Sequence, residues 1–185
     1  AAIPALLLEQ NSDYRAIPLD VQIDSMGWHG NAILVRRSAI VHAHDIIHIP
    51  CLEPRGAVRA HIEIGDMHIS TFGMHLDLSG LWRRKQAAAV IKLAKHYGQG
   101  MRSILMGDLN EWSANRGCLS DFKRSYSIVE CGRSFHSRSP IARLDRIMHC
   151  PGLTAIEAGV HHSLAAKKAS DHLPVWADLV ENSCG

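Results

Sequence analysis

Aromatic side chains are scarce, with 3 Tyr, 3 Phe and 4 Trp in 185 residues, which leaves little material for stacking successive nucleic-acid bases. Net charge is small: 20 Lys and Arg against 18 Asp and Glu give +2, too little for bulk electrostatics to draw the chain to a polyanion. No apolar run approaches the ~18 residues needed to span a bilayer. The first eight residues carry no basic flank and make a poor secretory signal. Cys51, Cys118, Cys131, Cys150 and Cys184 are odd in number, scattered, and include no Cys-x-x-Cys. That argues against a disulfide framework or a zinc ribbon and for free thiols in a reducing compartment, the cytoplasm. Internal repeats, low-complexity segments and linkers are also missing. So is an initiating Met, so the chain reads as processed or as a piece of something longer. The remaining composition, 46% hydrophobic and 21% charged, is that of one globular domain over residues 1–185 with a sizeable core.

One stretch organises the rest: Ser103-Ile-Leu-Met-Gly-Asp-Leu-Asn-Glu-Trp112. Three bulky apolar residues read as a buried strand. The strand stops at Gly107 and presents Asp108 and Asn110, two residues apart and so on one side if extension continues. Alone, this triplet reads as a polar turn.

Upstream, residues 4–10 suggest a short helix with Pro near its first turn, followed by a turn at 11–13 and a strand over 14–23. Residues 31–36 read as a buried strand. Residues 40–49 form a strand with His42, His44 and His48 on or near its exposed face; solvated strand face is the expected role, metal ligation the alternative. Residues 55–64 alternate, with Ala57, Arg59, His61 and Glu63 on one face. Gly65-Asp66 is a two-residue hairpin signal, and 67–72 the return strand. The apolar spacing over 81–97 predicts the clearest helix, with Arg83, Arg84 and Lys85 at its start against the dipole preference, read as a solvated start or an anion-steering patch. A short helix begins at 115–118 with Leu119 and Phe122 buried. Strands follow at 126–129, 143–148, 153–160 and 175–180. Residues 131–143 and 161–169 read as loops; the charges of Arg133, His136, Arg138, Arg143, Lys167 and Lys168 are expected to be solvated, phosphate contact being the alternative. Strands outnumber helices, which argues for a mixed-sheet α+β or layered α/β architecture.

Short polar clusters recur at the edges of buried strands: His75, Asp108 with Asn110, Asp145, and Asp171 with His172. Two histidines and three aspartates can form His–carboxylate pairs of the kind that general acid–base chemistry uses. A remaining carboxylate suits Mg²⁺ or Mn²⁺. Together these tools match phosphoester hydrolysis.

Thr71-x-x-x-His75, Arg83 and Gln86, Gly107-Asp-Leu-Asn110, Leu144-Asp-Arg-Ile147 and Ser170-Asp-His-Leu-Pro-Val175 occur in an order that resembles the endonuclease/exonuclease/phosphatase superfamily. Gly30-Asn-Ala-Ile-Leu-Val-Arg36 and Glu53-Pro-Arg-Gly56 resemble its middle strands. The resemblance runs from about Gly30 to Leu179. It implies an α/β fold, a four-layer α/β/β/α sandwich of two mixed, largely antiparallel sheets, with the site at one end. It implies a Mg²⁺- or Mn²⁺-dependent hydrolase of phosphodiesters or phosphomonoesters, a nuclease or a small-molecule or lipid phosphodiesterase, with nucleic acid a possible partner. His75 is then the acid at the scissile phosphate with Asp145 as its orienting partner. Asp108 aligns water or holds metal, Asn110 binds a phosphoryl oxygen, Asp171 supports metal, and His172 is the base or a transition-state donor. Arg55 binds substrate or orients carboxylates. The family's N-terminal Asn and Gln-Glu strands have no counterpart upstream of Gly30. Leu6-Leu-Leu-Glu9-Gln10 offers the nearest letters, but Glu9 sits too close to the Gly30 strand, so the sheet is expected to be incomplete at its N-terminus. Gly73-Met74 ahead of His75 is a milder departure. A non-catalytic binding module, or a catalytically incomplete fragment, is the competing reading.

Overall fold

The computed structural model of the chain describes residues 12–19 and 27–182. The helix expected at 4–10, Glu9, Asn11 and the far end of the 14–23 strand lie outside them. In chain order the elements are β1 (Tyr14–Ala16), β2 (Leu34–Arg36), β3 (Ile40–Ile47), β4 (Gly56–Ile64), β5 (Met67–His75), α1 (Gly80–Tyr97), β6 (Arg102–Asp108), α2 (Cys118–Phe122), β7 (Ser127–Ile128), β8 (Asp145–His149), β9 (Leu153–Val160), α3 (Leu164–Ala169) and β10 (Val175–Glu181). A mixed sheet of six strands, ordered β3-β4-β5-β6-β8-β7, dominates, and β1–β2 and β9–β10 form two antiparallel pairs. Among the described residues only β5 and β6 run parallel, because α1 carries the chain back across the sheet between them.

Packing follows from the alternation of side chains. On one face Phe72, Met74, Leu105 and Met148 meet Ala87, Val90 and Ala94 of α1 and Leu119 and Phe122 of α2. Full burial of a side chain such as Phe72 or Leu105 stabilises by roughly 1.5–3 kcal/mol. On the other face Ile17, Val35 and Ala39 cover Ala60 and Ile62. Helices on one face and a strand pair on the other make this a layered α/β fold.

The Gly65-Asp66 turn closes the β4–β5 hairpin, pairing Ile64 with Met67. The β3–β4 register shifts between Val41 and Ala43, a bulge that re-aims His42. The loop expected at 161–169 instead contains α3, whose start is capped by the Ser163 hydroxyl accepting from the Ala166 N–H at 3.0 Å. Residues 131–143 are not a simple surface loop either, since Ser134 and Ser137 are fully buried. Polar composition hid this, because the Ser134 hydroxyl and the backbone satisfy their hydrogen bonds inside the protein. Arg83 is no solvated helix start: it is mostly buried against Glu111. Arg84 pairs with Asp121 and Lys85 lies over the Trp82 ring.

Candidate active site

Sheet register does most of the assembly. Gly56 pairs with His75, His75 with Asp108, and Asp108 with Asp145, one row across β4, β5, β6 and β8. His172 joins from the segment before β10, where Phe135 bridges to it. Four of the sequence-predicted residues therefore converge: the Nε2 atoms of His75 and His172 lie 3.6 and 3.8 Å from the same Asp108 Oδ2.

The two histidines differ in electrostatics. His172 Nδ1 is 2.8 Å from Asp145 Oδ2, and the Ser134 hydroxyl donates to the same oxygen. The Asp145 hydrogen bond raises His172 above the ordinary 6.5, against partial burial. Burial works to raise Asp145, but the hydrogen bonds from His172 and Ser134 outweigh it and hold its carboxyl below the usual range. The expected pairing of Asp145 with His75 is thus corrected: its hydrogen-bond partner is His172, brought in by a contact 27 residues distant in sequence. His75 abuts the Arg55 guanidinium, 3.0 Å from Nδ1, and Arg55 is held in turn by Glu53 at 2.9 Å. Burial first, then the Arg55 charge, lowers His75 below 6.5. Both causes favour the uncharged ring, which suits a hydrogen-bond donor.

Asn110 sits at φ 49°, a left-handed conformation that Asn tolerates better than most residues. Its N–H bonds Asp108 Oδ1 at 2.8 Å and its Nδ2 donates to the Leu76 carbonyl at 2.9 Å, leaving a second amide hydrogen. Asp171 is exposed; its carboxylate contact is the Ser170 hydroxyl at 3.5 Å, and its carbonyl accepts from Ser137. Exposed Trp112 packs edge-on against Phe135, centroids 5.9 Å apart, and Phe135 lies 4.9 Å from the His172 ring, an aromatic wall beside the site.

Sequence reasoning missed the supports. Asp77, 1% exposed, accepts from the N–H groups of Leu52, Glu53 and Ser79, pinning the segment that carries Glu53 and Arg55. Gln86 accepts from the Asp77 N–H at 2.9 Å. An acid just after a histidine at a strand end was the only available signal. Burial pushes Asp77 up, but three backbone donors and the Arg55 charge prevail and hold it below 3.8. With a depressed folded value, its stabilisation is present above 3.8 and lost as pH falls through the folded value. Asp77→Asn should therefore cost about 2 kcal/mol at neutral pH, with the gap to wild type narrowing below 3.8; urea titrations at several pH values measure this.

One donor suited to a divalent cation stands here. Among the described residues Asp108 Oδ2 has no hydrogen-bond donor closer than the two imidazoles, so a hard carboxylate oxygen faces the gap with its lone pairs free.

Residues 2–172 match the model of a family described as Endonuclease/Exonuclease/phosphatase, a match that takes in the segment upstream of Gly30. No curated protein matches the sequence. Among solved structures, the mannosyl-6-phosphatase of Bacteroides thetaiotaomicron VPI-5482 superposes with a TM-score of 0.73 at 19% identity, covering 93% of this chain and 79% of that one. D. rerio TDP2 complexed with single-strand DNA product gives 0.68 at 18%, covering 80% and 72%. The human Nocturnin catalytic domain with bound sulfate gives 0.69 at 16%, covering 96% and 75%. At these identities the three share the fold with this chain.

Proposed function

We propose that this chain, which belongs to the Endonuclease/Exonuclease/phosphatase family, hydrolyses phosphate esters with a divalent cation, and that His172, Asp145, Asp108, His75 and Asn110 carry the reaction. The observation behind this is the convergence of two imidazoles on one Asp108 oxygen, the His172 ring tied through Nδ1 to the Asp145 carboxylate and the His75 ring edge lying against the Arg55 guanidinium, partners of opposite electrostatic effect. A binding module needs no such asymmetry.

His172 takes the proton of the attacking water at Nε2, since Nδ1 is committed to Asp145, whose charge stabilises the imidazolium that forms. Asp108 aligns that water; as the water oxygen bonds to phosphorus the ester P–O bond breaks, and the leaving oxygen takes its proton from solvent. His75, kept neutral, donates one hydrogen bond to a phosphoryl oxygen, and Arg55 beside it adds positive charge where the transition state gains negative charge. Asn110 offers its second amide hydrogen to the same group. Asp108, with Asp171, would hold Mg²⁺ or Mn²⁺, which when bound supplies Lewis-acid stabilisation of the phosphoryl oxygens. Solved relatives are named for a mannosyl-6-phosphatase and for a complex with single-strand DNA product, so a sugar phosphate and single-strand DNA both belong in the substrate class. The Trp112–Phe135 wall favours a substrate with a flat group next to the phosphate. The unpaired thiols of Cys51, Cys118, Cys131 and Cys150 fit work in a reducing compartment such as the cytoplasm. No helix among the described residues is long and apolar enough to cross a membrane.

The test is hydrolysis of bis-p-nitrophenyl phosphate, a sugar 6-phosphate and single-stranded DNA by the purified chain. Turnover is expected in Mg²⁺ or Mn²⁺, to vanish in EDTA and to return when the ion is restored. Turnover that persists in EDTA removes the cation from the proposal.

A further inference from the structure

We propose that His42, His61 and His68, with Glu63 beside them, form a second cation site that takes a transition-metal ion, Zn²⁺ foremost, and clamps three neighbouring strands. It is independent of the candidate active site. His68 stands second in β5 and His75 ends it, seven residues of extended chain and so roughly 23 Å apart.

Register brings two of the rings together. His61 pairs with Ser70 and Glu63 with His68, which makes His61 and His68 diagonal neighbours on one face. Their Nε2 and Nδ1 atoms are 3.1 Å apart. The third ring comes from the β3 bulge, whose extra residue turns His42 onto that face. His42 then lies 4.7 Å from His61 and 5.6 Å from His68, centroid to centroid. One ring nitrogen from each residue falls within 4.8 Å of the others, and Glu63 Oε2 is 2.6 Å from His42 Nε2.

Three imidazoles and one carboxylate match a borderline cation and not Mg²⁺ or Ca²⁺, which ask for oxygens. Tetrahedral Zn²⁺ with Zn–N of about 2.0–2.1 Å holds its ligand nitrogens roughly 3.4 Å apart, so rings on the surface need only rotate by about an ångström to close. Glu63 can complete the tetrahedron or fix the His42 tautomer from behind. The bland account is three imidazoles each facing water. Against it, the rings crowd one another, with one nitrogen from each held within 4.8 Å of the others instead of splayed into solvent. Arg59, the nearest fixed cation, is already paired with Asp45 at 2.8 Å and stacked on Tyr97. An ion here would tie β3, an edge strand of the main sheet, to β4 and β5 beside their hairpin turn.

The experiment uses the full chain, stripped with EDTA, dialysed, and kept in millimolar Mg²⁺ to occupy oxygen sites. Calorimetric titration with Zn²⁺ should give one tight equivalent, and Co²⁺ the intense visible bands of a four-coordinate site. His42→Ala, His61→Ala and His68→Ala should each weaken Zn²⁺ by about 100-fold and abolish those bands, while Asp108→Asn keeps both. At a hundredfold excess over the dissociation constant, Zn²⁺ should raise the Tm of wild type by about 5–10 °C and leave the His variants unmoved. His68→Gln serves if an alanine variant fails to fold. Zn²⁺ uptake equal in wild type and variants, or no tight equivalent in wild type, overturns the site.

Discussion

Replacing His172 with alanine should lower kcat/KM for phosphate-ester hydrolysis by about 10²–10⁴-fold, the span that positioned general acid–base groups contribute. Circular dichroism should keep its shape, while the thermal midpoint falls modestly because Asp145 loses its hydrogen-bond partner. Asp145→Asn should come close to the same loss, for a separate reason. An amide in place of the carboxylate cannot stabilise the imidazolium and can turn the ring to the wrong tautomer. The two variants separate in their pH profiles. The Asp145 hydrogen bond raises His172 above 6.5, and the base works only when deprotonated, so the acid limb of kcat/KM should lie above 6.5. In Asp145→Asn that limb should move down. A limb that stays put would mean that the rate reports some other group.

The same pair carries a stability signature of opposite sense. His172, with a raised folded value, contributes stability that is whole below 6.5 and fades as pH rises through the folded value. Asp145, with a depressed one, contributes stability that is present above 3.8 and lost as pH falls through its folded value. The pair therefore stabilises most between 3.8 and 6.5, while the reaction wants pH above that window.

What was legible in the chain was order and period. Alternation over 55–64 and the Gly65-Asp66 signal specified the β4–β5 hairpin, and with it the register that sets His75 level with Gly56. The apolar spacing of Ala87, Val90 and Ala94 specified α1. Contacts set by irregular segments were illegible. Asp145 pairs with His172 because residues 131–143 fold inward, tethered by the Ser137 N–H on the Asp171 carbonyl, and no periodicity encodes that. Glu111 had no role assigned from the sequence, yet it is buried with Arg83, 3.4 Å away, and braces the Asp108–Asn110 turn against α1. His42 was grouped with His44 and His48 along one strand; a bulge, invisible to a period of two, sent it across the sheet to His61 and His68.

The second large effect concerns backbone. Gly107→Ala should cost more than about 4 kcal/mol, or leave the chain unable to fold. Gly107 lies mid-sheet at φ 142°, where an L residue is strained. A Cβ there would stand 1.8 Å from the Met74 carbonyl oxygen and 2.8 Å from its carbon. Those atoms belong to the partner strand, so no rotamer change relieves the clash; β6 has to move off β5. Losses this large come from a few named mechanisms, backbone strain among them. Gly65→Ala is the control: its φ is 60° but nothing lies within 4 Å, so only the conformational cost of about 1–3 kcal/mol applies. Urea midpoints of the two variants isolate the close approach, and equal midpoints would refute it. Met74 and Gly107 are register partners one step from His75 and Asp108, so a folded Gly107→Ala chain should also lose activity. A shift of about 1 Å between catalytic groups can cost 10²-fold. The bare glycine that lets two strands touch is thus what brings the His75 imidazole within 3.6 Å of the Asp108 carboxylate.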